Sequence, residues 1–177
     1  MWKDPFDSIP HLVLGGARSG KSAFAEQTLA SFHPPYVYVA TAQVLDEEMR
    51  DRVARHQARR TADWETLETP YDLSGALGRL GGAGKAVLVD CLTIWISNLL
   101  LRGDGEEIET RIHELCLCIQ RADYPLVLVS NEVGWGIVPD NALARQFRDL
   151  AGFANQKVAA ACRSVTLVAA GIPLRLK

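Results

Sequence analysis

Cysteine is scarce in this chain, and what there is has no redox or metal spacing. Cys91, Cys116, Cys118 and Cys162 include no C-x-x-C pair among 177 residues. Cys116 and Cys118 lie two apart on a predicted helix and so point roughly opposite ways, which argues against a shared metal. They read as reduced, small core hydrophobes of a cytoplasmic protein. Charge of either sign is also lacking in excess. A formal net charge of −2 offers no general attraction to nucleic acid or to an anionic membrane. No apolar run is long enough to span a bilayer. Repeats, low-complexity tracts and an interdomain linker are absent as well. The opening segment, Met1–Pro10, is polar and proline-containing, lacks the apolar core of a signal peptide, and reads as a loosely packed arm.

What remains is an ordinary packed domain. Hydrophobic residues make up 48% of the chain, and its length fits one domain over residues 11–177, able to bury roughly 70% of its unfolded surface without staples. Apolar strand-like runs recur at His11–Gly15, Tyr36–Ala40, Ala86–Asp90, Leu126–Asn131 and Val165–Ala169. Helical patterns separate them at Lys21–Ser31, Asp46–Arg60, Tyr71–Leu80, Glu106–Ala122 and Asn141–Cys162. This alternation predicts a mainly parallel sheet covered by helices on both faces, an α/β three-layer sandwich. Trp64–Thr69 is expected at an edge. Gly171-Ile172-Pro173 reads as a turn before a short antiparallel strand at Leu174–Leu176. Leu92–Leu101, with Asn98 inside it, reads as a buried or subunit-facing helix.

The strongest motif is Gly15-Gly16-Ala17-Arg18-Ser19-Gly20-Lys21-Ser22. It matches G-x-x-x-x-G-K-[ST] at every fixed position, with a strand before it and a helix after it. Glycines let the backbone curl so that several N–H groups face one anion, and the helix N-terminus adds its dipole. Lys21 supplies a point charge for terminal phosphates, and the Ser22 hydroxyl suits a magnesium ion. A glycine-rich turn containing Lys-Ser by chance would not need that strand and helix. The chain therefore reads as a P-loop nucleoside triphosphate-binding protein of RecA-like type.

Ligands of an open α/β sheet sit beyond the carboxyl ends of its strands. That rule gathers the P-loop, Thr41-Ala42-Gln43, Asp90 and Ser130-Asn131-Glu132 around one site. Asp90, ending an apolar strand, suits a magnesium partner better than its alternative, a helix N-cap. Asn131 could sense a terminal phosphate and Glu132 could act as a base; a turn residue and a solvated carboxylate are equal alternatives. Trp64 and Trp135 could stack on a planar ligand or simply pack. His11, His33 and His113 read as structural or exposed.

On the stretch Asp46–Arg60, Glu48–Arg52 and Asp51–Arg55 form i,i+4 pairs, whereas His56, Arg59 and Arg60 have basic neighbours at i−4. Unpaired cations at a helix end attract polyphosphate and hold the His56 imidazole neutral, able to attack phosphorus. A solvated basic helix end is the competing reading, and the residues alone favour it.

Several stretches together resemble one family, the bifunctional adenosylcobinamide kinase and adenosylcobinamide-phosphate guanylyltransferase of cobalamin biosynthesis. They are the P-loop, Tyr38–Gln43, Asp46-Glu47-Glu48-Met49 with Arg52 and His56, and Ser130–Pro139 running on to Arg145–Gly152 and Asn155-Gln156. The resemblance covers His11 to Lys177, and Met1–Pro10 looks like an extension beyond the family's usual start. It implies that His56 becomes guanylylated. It also implies that Gly15–Ser22, Thr41, Ala42, Gln43, Gln57, Ala58, Arg59, Arg60, Glu68 and Asp90 contact nucleotide. Catalysis then rests on His56 and Lys21, and Ser22 and Asp90 hold Mg2+. Substrates are ATP or GTP with adenosylcobinamide and its phosphate, and a homotrimer is implied, with Leu92–Leu101 a candidate contact. Some relatives carry a second histidine where this chain has Arg55, and Glu where it has Asp90. Two rivals predict different behaviour: a plain small-molecule kinase, without covalent guanylylation, and a RecA-like nucleic-acid module, with a basic, salt-sensitive face.

Overall fold

The computed structural model describes residues 8–43, 47, 62–105 and 107–177. Of the helix expected over Asp46–Arg60, all but Glu47 lies outside the described residues, His56 included. Among the described residues, the strands are β1 (His11–Gly15), β2 (Tyr36–Ala40), β3 (Trp64–Glu68), β4 (Ala86–Asp90), β5 (Leu126–Asn131), β6 (Ser164–Ala169) and β7 (Ile172–Arg175). The helices are α1 (Lys21–Leu29), α2 (Leu73–Gly78), α3 (Leu92–Arg102), α4 (Ile108–Arg121) and α5 (Ala142–Ala161). They build one seven-stranded sheet in the order β3-β2-β4-β5-β1-β6-β7. Every pairing is parallel except β6 with β7.

Alternate residues of the central strands feed two cores, as the pleat requires. Leu12, Val37, Val39, Val87, Val89, Leu126 and Leu128 meet Leu73, Trp95, Ile96, Ile112, Leu115 and Val158 of α2 to α5. Val13, Tyr38, Leu88, Val127 and Val129 meet Ala25 and Leu29 of α1 on the other face. Burial on both faces is why these strands read as continuous Val/Leu runs. Helix α3 turns Leu92, Trp95, Ile96 and Leu99 into the core of its own chain and leaves Leu101 exposed. Cys91 and Cys162 are buried, and burial pushes their thiols up to about 11 and about 12.

Two expectations change. The turn after β6 falls at Ala170-Gly171, and Ile172 and Pro173 already belong to β7, where Pro173 lies opposite Val168. Proline is tolerated there because β7 is an edge strand with no further ladder to feed. The end of the proposed arm is packed: Ser8 and Ile9 are buried, Ser164 Oγ donates to the Ser8 carbonyl, and Arg163 N donates to the Pro10 carbonyl at 2.9 Å.

His11 is buried beside Thr166, with Nε2 2.9 Å from Oγ1. Burial, helped by the Arg175 charge, lowers its pKa to about 4. The unfolded chain takes up this proton near pH 6.5 and the folded chain only near 4, so stability falls as pH drops through that window. About 3 kcal/mol of unfolding free energy should be lost between pH 7 and 4 through this group. Urea titrations at both pH values, with His11→Gln as control, measure it; an equal pH slope in the variant would refute it.

Candidate active site

The carboxyl ends of the parallel strands carry the site. Register places Asp90 beside Ala40, and Ala40 beside Glu68, while Gly15 lies beside Asn131 and Val168. The P-loop leaves β1 at Gly15, where a Cβ would meet Ser19 Oγ and the Val168 carbonyl at 2.6 Å. Only glycine fits that approach. Gly20, at φ 96°, lies against Gly171 and opens α1. The loop is pinned to its surroundings: Ser19 N donates to the Gly16 carbonyl at 3.2 Å, and Gly171 N donates to the Ser19 carbonyl at 2.8 Å. Glu132 N donates to the Gly15 carbonyl at 3.1 Å. Ser19 Oγ is buried and finds no hydrogen-bond partner among the described residues.

Lys21 is buried at the first turn of α1, its Nζ donating to the Gly16 carbonyl at 3.1 Å, across the mouth of the loop. Ser22 Oγ donates to Asp90 Oδ2 at 3.0 Å. A hydroxyl and a carboxylate, brought together from α1 and β4, are hard oxygen donors of the kind magnesium takes. The residues thus fit the ion implied by the motif.

The remaining expected residues differ in what they do. Thr41 is fully buried, and its hydroxyl clamps Cys91, accepting from the backbone N at 2.9 Å and donating to the carbonyl at 2.8 Å. Its backbone N donates to the Asp90 carbonyl at 3.4 Å, and its carbonyl accepts from Asn98. Thr41 therefore joins the tips of β2 and β4. Thr41→Val should leave the Cys91 N–H without its partner, while the Cys91 carbonyl keeps Trp95 N at 3.2 Å, and should destabilise the fold by about 1–3 kcal/mol. A lowered melting temperature with unchanged nucleotide affinity checks this; the reverse pattern would make Thr41 a ligand contact instead. Gln43 Nε2 donates to the Tyr71 hydroxyl at 2.8 Å, and Tyr71 is held in turn by Trp95 Nε1 on its carbonyl at 2.8 Å. Ala42 is half-buried and Glu68 exposed at the same edge, while Gln57, Ala58, Arg59 and Arg60 lie outside the described residues.

Some positioning residues were not visible as such in the sequence. Asn98 of α3 donates to the Thr41 carbonyl at 2.7 Å and the Pro70 carbonyl at 3.1 Å, tying together the segments after β2 and β3. Its only signal was one amide in an apolar run. Asn131 Nδ2 donates to Thr93 Oγ1 at 2.6 Å, and its carbonyl accepts from Asn155 at 3.2 Å. The Asn131 side chain is thus committed to the scaffold. Trp64 packs on Tyr36, ring centroids 4.9 Å apart, whereas Trp135 stands in solvent.

A phosphate cradle beside an Asp–Ser pair recurs in many enzymes, so comparison with known proteins decides the family. A family model described as cobinamide kinase / cobinamide phosphate guanyltransferase matches residues 11–176. This chain belongs to that family. It is 45% identical over 166 residues to the bifunctional adenosylcobalamin biosynthesis protein CobP of Pseudomonas aeruginosa, covering 94% of this chain and 96% of that one. It is 41% identical over 179 residues to the bifunctional adenosylcobalamin biosynthesis protein CobU of Salmonella typhimurium, covering 94% and 98%. Among solved structures, one from Pyrococcus horikoshii OT3 has a similar fold, with a TM-score of 0.57 at 10% identity, covering 94% of this chain and 85% of that one. In this cobinamide kinase / guanyltransferase chain, no helix among the described residues is long and apolar enough to cross a membrane.

Proposed function

We propose that this chain phosphorylates the hydroxyl on the aminopropanol arm of adenosylcobinamide, using ATP or GTP. It then transfers GMP from GTP to that product, giving adenosyl-GDP-cobinamide. Membership of the family supports both activities. The observation that carries the phosphoryl-transfer half is the convergence of the P-loop, Lys21 and the Ser22–Asp90 pair at one sheet edge.

In the kinase step the P-loop amides and the α1 N-terminus hold the polyphosphate, and Lys21 balances the charge of the transferring group. Ser22 and Asp90 would hold Mg2+, which when bound screens the negative charge of the phosphates. In the second step His56 attacks the α-phosphorus of GTP and expels pyrophosphate, and the guanylyl-histidine passes GMP to cobinamide phosphate. His56, like Gln57–Arg60, lies outside the described residues, and its role rests on the resemblance and on the basic residues around it in sequence. Ala42, Gln43 and Glu68, at the same carboxyl edge of the sheet as Asp90, are taken to border the nucleotide, with Thr41 holding that edge together. We take the working form as a cytoplasmic homotrimer, with the exposed Leu101 of α3 one candidate for its contacts.

The test is an assay on cobinamide with ATP or GTP labelled at the γ- or the α-phosphate. Label from the γ-position should pass to cobinamide. Label from the α-position should first mark the protein in an acid-labile, base-stable bond and then leave with cobinamide phosphate. Phosphoryl transfer without protein labelling would identify a plain kinase, and transfer of neither label would end the reading.

A further inference from the structure

Beside the P-loop, and sharing its Gly16–Ser19 segment, lies a groove of about 360 Å³. Gly16–Ser19, Leu167–Ala170, Glu132 and Trp135 line it. Trp135 is 79% exposed and Ile137 beyond it 95%. Their loop is nevertheless fastened at both ends. Glu132 N is held by the Gly15 carbonyl, and Gly134 N donates to Glu132 Oε1 at 2.7 Å. Arg145 Nη1 donates to the carbonyls of Pro139 at 2.9 Å and Asp140 at 2.6 Å. Large apolar side chains held in water on an anchored loop mark a binding surface.

The groove's shape and charge select the occupant. Sharing Gly16–Ser19 with the phosphate cradle, it brings whatever enters it against the phosphates. Arg18 and Glu132 both line it, so its charge is mixed, and the carboxylate suits a hydroxyl donor. A corrinoid acceptor is far larger than the groove, so only its side arm can enter and its broad, largely apolar macrocycle must rest on the lip. Trp135 stands at that lip.

Resting on the kinase reading above, we propose that Trp135, with Ile137 beyond it, seats the acceptor's macrocycle, and that Glu132 takes the proton of the arm's hydroxyl during phosphorylation. The hydroxyl oxygen bonds to the γ-phosphorus and the bond from that phosphorus to the β–γ bridging oxygen breaks. The nucleoside diphosphate leaves with the electron pair, and the proton passes to the Glu132 carboxylate and on to water. Glu132 Oε1 already accepts from Gly134 N, which orients the carboxylate and leaves Oε2 as a further acceptor.

The experiment measures equilibrium binding of cobinamide and of a non-hydrolysable ATP analogue, kinase kinetics and assembly mass for the wild type, Trp135→Ala, Trp135→Phe and Glu132→Gln. Trp135→Ala should weaken cobinamide binding about 10-fold with nucleotide binding and mass unchanged, and Trp135→Phe should restore most of it. Glu132→Gln should lower kcat about 100-fold and leave both affinities within about 2-fold. Weakened nucleotide binding in Trp135→Ala would assign the groove to the nucleoside, and a change in mass would assign the loop to a subunit contact; either overturns the proposal. So does full kinase activity in Glu132→Gln, or unchanged cobinamide binding in Trp135→Ala. A wild type that binds no cobinamide refutes the kinase reading itself, a result separable from failure of the variants alone.

Discussion

Lys21→Ala is expected to lower the kinase kcat by about 100- to 1000-fold, the scale on which enzymes lose rate when a preorganised charge facing the transition state is removed. The ammonium is held ready: Lys21 is only 9% exposed, and its Nζ reaches the Gly16 carbonyl across the loop. A triphosphate in the cradle would replace that carbonyl as partner without moving the backbone. Lys21→Arg should fail nearly as badly, since a planar, longer guanidinium cannot occupy a buried point-charge position. Nucleotide affinity should fall as well, because ground-state phosphates share the same cation. Single-turnover phosphoryl transfer at saturating nucleotide, with melting temperature as the folding control, measures the effect. Undiminished turnover would remove Lys21, and with it the P-loop mechanism.

His56→Ala should reduce guanylyl transfer to background, on the order of a 10⁶-fold loss, because removing the nucleophile of a covalent mechanism leaves no alternative path. Phosphorylation of cobinamide should survive in part, since the phosphate cradle and the Ser22–Asp90 pair stand without this side chain. The split between activities gives the variant its power: a merely structural histidine would depress both together. Equal protein labelling by α-labelled GTP in wild type and variant would eliminate His56 as acceptor.

Strand positions were legible because both-face burial imposes continuous apolar runs, and β1, β2, β4 and β5 begin and end where those runs do. Helix ends were less so. The pattern over Tyr71–Leu80 shortens to Leu73–Gly78, because Asp72 caps the first turn by accepting from Gly75 N at 3.0 Å. The antiparallel strand β7 was expected, but its start was misplaced: Ile172 and Pro173 read as a turn, and only the strand's place at the sheet edge makes Pro173 acceptable. The P-loop was legible to the residue, since its glycines answer to local backbone geometry. The parts of Thr41, Asn98 and Asn131 were not, because each depends on a partner 24 or more positions away.

Order along the chain thus determined on its own the phosphate cradle, the alternation of strands and helices, and the family, all properties of short segments or of their succession. Tertiary structure alone decided that the Thr41 hydroxyl serves the scaffold, that Asn98 ties the segments after β2 and β3, and that Trp135 lines a groove. Contacts of that kind arise when separate segments stack in one sheet, where register and pleat, not neighbourhood in sequence, determine which side chains share a surface.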